Sequence, residues 1–150
     1  MTFTDRRSAH VGTAPEHVRR FHRVELLMPR SDIEAARVAF NELLGASIPA
    51  VKHLTEQQVL TTLDEAAGIE LLAPAADDTV IQRSLEAKGK GAIGPLVWEV
   101  DDMAATRARV TDLGYRVAFE FKGEGTHQLH LDPSQCYGYG ITFRIDATKP

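Results

Sequence analysis

The chain has 150 residues, of which 43% are hydrophobic and 25% charged, with a formal net charge of -4. This composition predicts one folded domain with a buried core, and the acidic balance argues against nucleic-acid binding. No apolar run is long enough to cross a bilayer, and no apolar segment follows the N-terminal arginines as a secretory signal requires. The single cysteine, Cys136, cannot form an internal disulfide, so we expect a cytoplasmic protein.

The first half of the chain predicts a strand, a helix and three further strands. Residues 1–20 are polar and without pattern, and we expect an N-terminal arm there. A strand is predicted at 23–28, followed by a helix that Asp32 caps and that ends at Gly45. The three strands that follow are predicted at 47–53, 57–63 and 69–74.

A second copy of the same order follows a short helix at 77–88 and a glycine-rich hinge. Its strand is predicted at 96–100, and its helix begins at a cap from Asp101 or Asp102 and stops at Gly114. Its last three strands are predicted at 115–121, 127–131 and 139–145. A βαβββ unit that occurs twice indicates an internal repeat, and the alternative is two unrelated strand–helix pairs.

The repeat predicts a single domain at 21–146, preceded by the arm. Module one is expected at 21–75, the linker helix at 77–91 and module two at 92–146.

Alternation along the strands assigns side chains to two faces of the sheet. Val24, Leu71 and Phe143 belong to the face predicted to pack beneath helices, and His22 is predicted to turn away from the opposite face. The opposite face carries Arg23, Glu25, Glu70, Glu99, Gln128, His130, Thr142 and Arg144, with Leu27, Leu72 and Val97 between them. On an open sheet this set is a solvated surface, whereas on a curled sheet it is a polar pocket with apolar walls.

The paired βαβββ pattern resembles the vicinal oxygen chelate superfamily and, within it, the methylmalonyl-CoA epimerase family. The segments that carry the resemblance are GIELLAP at 68–74, DDTVIQRSLEAKGKGAIGPLVWEVDDMAA at 77–105 and LDPSQCYGYGITFRI at 131–145. The resemblance implies an α+β domain whose paired modules form a curled, cup-shaped mixed sheet with helices on the convex face. It also implies four strands that each give one ligand to a metal, which holds substrate oxygens and stabilises an enolate.

The chain departs from that family pattern at the metal ligands. Glu70 matches the ligand on the fourth strand, but Pro95 stands in place of a histidine on the fifth and Thr142 in place of a glutamate on the eighth. The strand-one position remains open among His22, Arg23 and Glu25.

Proline has no side-chain ligand atom, so at least one ligand is lost and we expect no metal cofactor. The alternative is a divalent ion held at a rebuilt site of Glu25, Glu70 and His130. The carboxylate that the family uses as a base is also absent, with Ala50 at the nearest matching position.

The remaining polar residues form an acid–base set, with Glu70, Glu25 and His130 as the predicted catalytic residues. Two carboxylates at short range cannot both ionise easily, so one pKa is expected to rise toward the range that suits general acid–base catalysis. The predicted substrate-binding residues are Arg23, Thr142, Arg144, Gln128 and Glu99. An arginine among them would supply the positive charge that stabilises an enolate or binds a carboxylate, although an Arg–Glu cluster can equally be a structural ion-pair network.

This set predicts a metal-independent isomerase, epimerase or lyase that moves a proton next to a carbonyl of a small organic acid, ketone or CoA thioester. The alternatives are a metal-dependent relative with the rebuilt site and a non-catalytic binding or resistance protein of the same fold. We expect a homodimer that binds a small-molecule substrate and has neither a nucleic-acid nor a membrane partner.

Overall fold

The computed structural model describes residues 17–147. The first module contains β1 (Val18–Leu27), α1 (Ile33–Leu44), β2 (Lys52–Leu54), β3 (Val59–Asp64) and β4 (Ile69–Pro74). The linker helix is α2 (Val80–Lys88). The second module contains β5 (Ile93–Val100), α3 (Met103–Asp112), β6 (Val117–Gly123), β7 (Thr126–Leu131), a short 3-10 turn (Pro133–Gln135) and β8 (Ile141–Asp146).

The eight strands form one mixed sheet in the order β2-β3-β4-β1-β5-β8-β7-β6. Within each module the first strand pairs in parallel with the last, and the remaining neighbours are antiparallel. The two modules meet through the antiparallel pair β1 and β5. The predicted α+β fold of paired βαβββ modules in a curled sheet is therefore confirmed.

Helices α1 and α3 each cover one module, on the side of the sheet that the alternation predicted. The core beneath α1 is a cluster of Ile33, Ile48, Leu71 and Ala73, against which Leu26 and Met28 pack. The core beneath α3 is a cluster of Val100, Met103 and Leu129, against which Phe143 and Ile145 pack. Burial of these strand faces fixes the register, because a slip of one residue would expose the whole set.

Helix α2 lies on the other side of the sheet and closes one end of the cup. Its Ile81 and Leu85 pack against a cluster of Leu27, Val59, Leu72 and Ala92. Leu27 and Leu72 are the side chains that the sequence predicts as apolar walls, so α2 rests on one of those walls. Thr79 caps α2 by accepting a hydrogen bond of 3.0 Å from the backbone N–H of Gln82.

The helix ends agree with the sequence except at the cap of α1 and at the start of α2, which begins at Val80 rather than at residue 77. Asp102 caps α3 as predicted, because its carboxylate accepts a 2.9 Å hydrogen bond from the backbone N–H of Ala105. Asp32 does not cap α1 with its side chain, because its backbone is already helical and its carboxylate accepts from Ser31 Oγ. Gly45 ends α1 with a φ of 63°, as a left-handed C-terminal position requires.

The sheet begins earlier than the sequence predicts. Strand β1 starts at Val18, so the last residues of the predicted arm belong to the sheet, and residues 1–16 lie outside the described part of the chain. Among the helices of residues 17–147, none has the length and apolar character needed to cross a membrane.

Candidate active site

The concave face of the sheet encloses a cavity of about 1160 Å³. All three predicted catalytic residues line it, as do four of the five predicted substrate-binding residues: Glu25, Glu70, His130, Arg23, Gln128, Thr142 and Arg144. The cup therefore brings together side chains from both modules. Its volume is comparable to that of sites that enclose small organic ligands.

The centre of the cavity floor is a buried cluster of Arg23 between two carboxylates. Arg23 Nη2 donates to Glu25 Oε1 over 3.1 Å, and Arg23 Nε donates to Glu70 Oε2. The second oxygen of Glu70 accepts a hydrogen bond of 2.7 Å from Thr61 Oγ1. Adjacent strands hold the two carboxylates together, because Glu25 and Glu70 are register partners on β1 and β4.

Burial and the neighbouring carboxylate change the protonation of Glu25. The pKa of Glu25 rises to about 8, first because burial penalises the charged carboxylate and then because the charge of Glu70 lies beside it. Arg23 opposes this rise but does not cancel it. Glu25 thus carries a proton near neutral pH, and the rise has the direction that two neighbouring carboxylates predict.

His130 presents one ring nitrogen to the cavity. Its Nδ1 lies 2.8 Å from Thr142 Oγ1, and the Thr142 side chain is completely buried. If the hydroxyl donates to Nδ1, the hydroxyl proton has an acceptor, and Nε2 carries the ring proton. Burial, and then the charge of Arg23, lower the pKa of His130 to about 4, so the ring is a neutral hydrogen-bond donor at neutral pH.

His22 does not line the cavity, in agreement with the alternation, but its ring is buried against two arginines that do. Its Nδ1 lies 3.2 Å from Arg23 Nη1, and its Nε2 lies 2.9 Å from Arg144 Nη1. The cause is a register shift between Phe21 and Arg23 in the pairing with β5, which places one extra residue in β1. Burial and the two guanidinium groups lower the pKa of His22 to about 4.

Glu99 is the one predicted substrate-binding residue that does not line the cavity. It is the register partner of Arg20 near the start of β1, and Arg20 Nε donates to its Oε2 over 2.9 Å. Its placement in the pocket was therefore wrong. Glu99 is also the register partner of Arg144 on β8, which does line the cavity, so alternation gave its place in the sheet but not the direction of its carboxylate, which pairs with Arg20.

Two aromatic residues of the cup wall, Phe119 and Phe121, were not predicted as site residues. The ring of Phe119 lies against His130, with centroids 5.4 Å apart. A register shift between Val117 and Phe119 turns Phe119 to the cup, while Val117 packs in the core beneath α3. The sequence pattern does not reveal this bulge, because Val117, Phe119 and Phe121 alternate regularly in the sequence.

The side chains around the cup do not suit a divalent metal. Both oxygens of Glu70 accept hydrogen bonds, and the guanidinium of Arg23 lies between the two carboxylates. Pro95 offers no donor atom, and the Thr142 hydroxyl is engaged with His130. No group of three histidine, cysteine, aspartate or glutamate side chains within residues 17–147 is arranged to hold a metal ion.

Comparison with known proteins identifies the family. The ethylmalonyl-CoA/methylmalonyl-CoA epimerase of Cereibacter sphaeroides is 33% identical to the chain over 101 residues, which cover 65% of this chain and 73% of that protein. The chain belongs to the methylmalonyl-CoA epimerase family of the vicinal oxygen chelate superfamily. No protein-family model matches the chain.

Solved structures of methylmalonyl-CoA epimerases share the fold. The Mycobacterium tuberculosis protein superposes with a TM-score of 0.78 at 23% identity, covering 93% of this chain and 95% of that one. A single-residue variant of the Streptomyces coelicolor protein, in complex with 2-nitronate-propionyl-CoA, superposes with a TM-score of 0.74 at 20% identity, covering 89% of this chain and 99% of that one. A complex with methylmalonyl-CoA and NH4+ gives 0.73 at 20% identity, covering 87% and 96%.

Proposed function

We propose that this chain is an epimerase that moves a proton at the α-carbon of a CoA thioester without a divalent metal. The observation that carries the proposal is the buried pair of Glu25 and Glu70 on the floor of the cup, with Arg23 between them. Membership of a family whose Cereibacter relative is an ethylmalonyl-CoA/methylmalonyl-CoA epimerase supports a CoA thioester as the substrate.

The carboxylate pair supplies both a base and an acid at the same pH. Glu70 accepts the α proton, and the electrons of the broken C–H bond move into the thioester carbonyl to form an enolate. Glu25, which is protonated near neutral pH, is the residue placed to return a proton to the carbon. Return of the proton to the opposite face inverts the carbon, and no net proton is gained or lost. A base and an acid held in this way are typically worth about 10²–10⁴-fold in rate.

Fixed donors in the cup would stabilise the enolate. If Thr142 donates to Nδ1, His130 Nε2–H would be the ring's donor to the enolate, and Arg23 and Arg144 add two guanidinium groups to the cavity lining. Donors that are already oriented before the reaction stabilise developing negative charge without reorganisation. In this proposal arginine takes the electrostatic part that a bound cation would otherwise supply.

The test is proton exchange under metal-free conditions. Methylmalonyl-CoA is incubated in deuterium oxide with the protein after exhaustive chelation, and deuterium at the α-carbon is followed by mass spectrometry. We expect enzyme-dependent uptake that chelator does not reduce and added divalent cobalt or manganese does not raise. Uptake that disappears on chelation and returns with metal would contradict metal independence. Saturable binding with no uptake would indicate a binding protein instead.

We also propose that the predicted domain, 21–146, extended to the start of β1 at Val18, is one domain and that the protein is a cytoplasmic homodimer. The continuous eight-stranded sheet that links modules 21–75 and 92–146 supports the domain assignment. Strands β2 and β6 are the two ends of this sheet, and an unpaired strand edge favours association with a second chain. Light scattering coupled to size-exclusion chromatography measures the mass directly, and a value near that of one 16.5 kDa chain would reject the dimer.

A further inference from the structure

Thr61 is the middle one of three alternate residues of β3 that line the cavity. The other two, Val59 and Leu63, are apolar, and so is Leu72, the register partner of Thr61 on β4. The Thr61 side chain is buried, with 7% of the residue exposed. A buried hydroxyl without a hydrogen-bond partner is costly, so a threonine among these apolar side chains needs an acceptor.

That acceptor is Glu70. Thr61 Oγ1 donates to Glu70 Oε1 over 2.7 Å, and Arg23 Nε donates to the other carboxylate oxygen. Leu63 is the register partner of Glu70, so Thr61 is its diagonal neighbour on the same face of the sheet. The two donors come from β3 and β1, the strands on either side of β4.

Donors on opposite sides fix the plane of the Glu70 carboxylate. A carboxylate has about four lone-pair sites, so one hydrogen bond to each oxygen restrains its rotation without filling its capacity to accept a proton. Arg23 alone would hold one oxygen of Glu70. The hydroxyl of Thr61 supplies the second point of attachment, and two points are needed to define a plane around the side-chain bond.

We infer that Thr61 is a positioning residue for the proposed base, because its hydroxyl holds the Glu70 carboxylate in the orientation that takes the α proton. This inference rests on the proposed function, in which Glu70 is the base, and it adds a residue that acts through Glu70. A general base works over hydrogen-bond distance, and a small misplacement of the reacting groups can cost about 10²-fold in rate. Thr61 should therefore affect the rate of proton transfer more than the binding of the thioester.

A purely structural hydroxyl would behave differently, and Thr106 provides the matched control. Thr106 is also buried, at 4% exposed, and its hydroxyl donates over the same distance of 2.7 Å to the backbone carbonyl of Asp102. It lies on α3 and does not line the cup. Thr61→Val and Thr106→Val each remove one buried hydroxyl donor and keep the branched shape of the side chain.

The test measures kcat and KM for deuterium uptake from deuterium oxide at a series of methylmalonyl-CoA concentrations. Thr61→Val should lower kcat by about 10- to 100-fold and change KM by less than about threefold. Thr61→Ser retains the hydroxyl donor and should recover most of the lost kcat. Thr106→Val should keep the native values of both constants. If Thr61→Val does not fold, Thr61→Cys replaces it, because a thiol of similar size is only a weak donor.

Two kinetic outcomes would overturn the inference: a native kcat in Thr61→Val, or a loss in Thr61→Ser as large as that in Thr61→Val. Either result would leave Thr61 with a structural role alone. Equal losses of kcat in Thr61→Val and Thr106→Val would also overturn it, since any buried hydroxyl would then have the same effect.

A crystal structure of Thr61→Val tests the same inference without turnover. The Glu70 carboxylate should be rotated by more than about 20° from its native plane, which exceeds the tolerance of a productive catalytic geometry. A carboxylate that keeps its native plane would reject the inference. A native protein that shows no deuterium uptake would instead reject the proposed function, so the two failures are distinguishable.

Discussion

Glu25 and Glu70 are register partners on the parallel strands β1 and β4, and both carboxylates bind the same guanidinium. Parallel pairing at a spacing of about 4.8 Å leaves adjacent side chains on one face no room to separate. Gly94 on β5 contributes to this arrangement, because a Cβ there would lie only 3.1 Å from the Cβ of Glu25. The coupling of the two carboxylates is thus a consequence of sheet geometry, and the acid–base chemistry that we propose depends on it.

Replacement of one carboxylate tests its role in proton transfer. Glu70→Gln keeps the shape and one acceptor oxygen but cannot take a proton, so deuterium uptake into methylmalonyl-CoA should fall about 10²–10⁴-fold. The folded state should persist, as judged by circular dichroism. Glu34→Gln is the control, since Glu34 is exposed on α1 and does not line the cavity, and it should change uptake less than about twofold. Deuterium uptake at the native rate in Glu70→Gln would show that Glu25 or His130, and not Glu70, is the base.

The pKa of Glu25 predicts a dependence of stability on pH. It rises from 4.5 to about 8, so the folded state keeps a proton that the unfolded state loses above about pH 4.5. The stabilisation from Glu25 is therefore complete at low pH and is lost as pH increases toward 8, with a slope of at most about 1.4 kcal/mol per pH unit. Glu25→Gln should remove this slope between pH 5 and 8 in urea unfolding. A slope of equal size in the variant would assign it to other groups.

The faces of the catalytic candidates could be predicted from the sequence because each of their strands pairs regularly with one of its two neighbours. The pairing of β1 with β4 near Glu25 and Glu70 advances residue for residue, and so does the pairing of β7 with β8 at His130. Where pairing is regular, alternation in the sequence becomes alternation in space. The repeat itself was visible because each module has to bury one apolar strand face beneath a helix.

The prediction failed where a strand contains an extra residue or where an ion pair decides the direction of a side chain. A bulge next to His22 brings its ring against Arg23 and Arg144, and another before Phe119 turns that ring to the cup; alternation cannot show which residue is extra. Glu99 was assigned to the pocket from its face alone, but its carboxylate pairs with Arg20 and does not line the cavity. The contacts of Arg23 could not be predicted from the sequence either, because they join Arg23 to His22 and Glu25 on β1 and to Glu70 on β4.

Removal of the buried cation should destabilise the fold. Arg23→Met keeps much of the side-chain volume but leaves Glu25 and Glu70 buried without a counter-charge, which typically costs about 3–5 kcal/mol. Urea unfolding at pH 8 measures this loss. The control combines Arg23→Met with Glu25→Gln and Glu70→Gln, and it should recover most of the stability because no unpaired charge remains. A triple variant as unstable as Arg23→Met would show that packing, rather than charge, causes the loss.

The hydroxyl of Thr142 should determine how His130 presents its proton. Thr142→Val preserves the shape of a completely buried side chain but removes the group that lies 2.8 Å from His130 Nδ1. The ring then loses the contact that favours the Nε2–H tautomer, so we expect deuterium uptake to fall about 10-fold, less than in Glu70→Gln. Nitrogen NMR of His130 should show a changed tautomer population. In a His130→Ala background the same substitution should have no further effect on uptake, because Thr142 acts through the histidine. An additive loss in the double variant would instead place Thr142 in direct contact with the substrate.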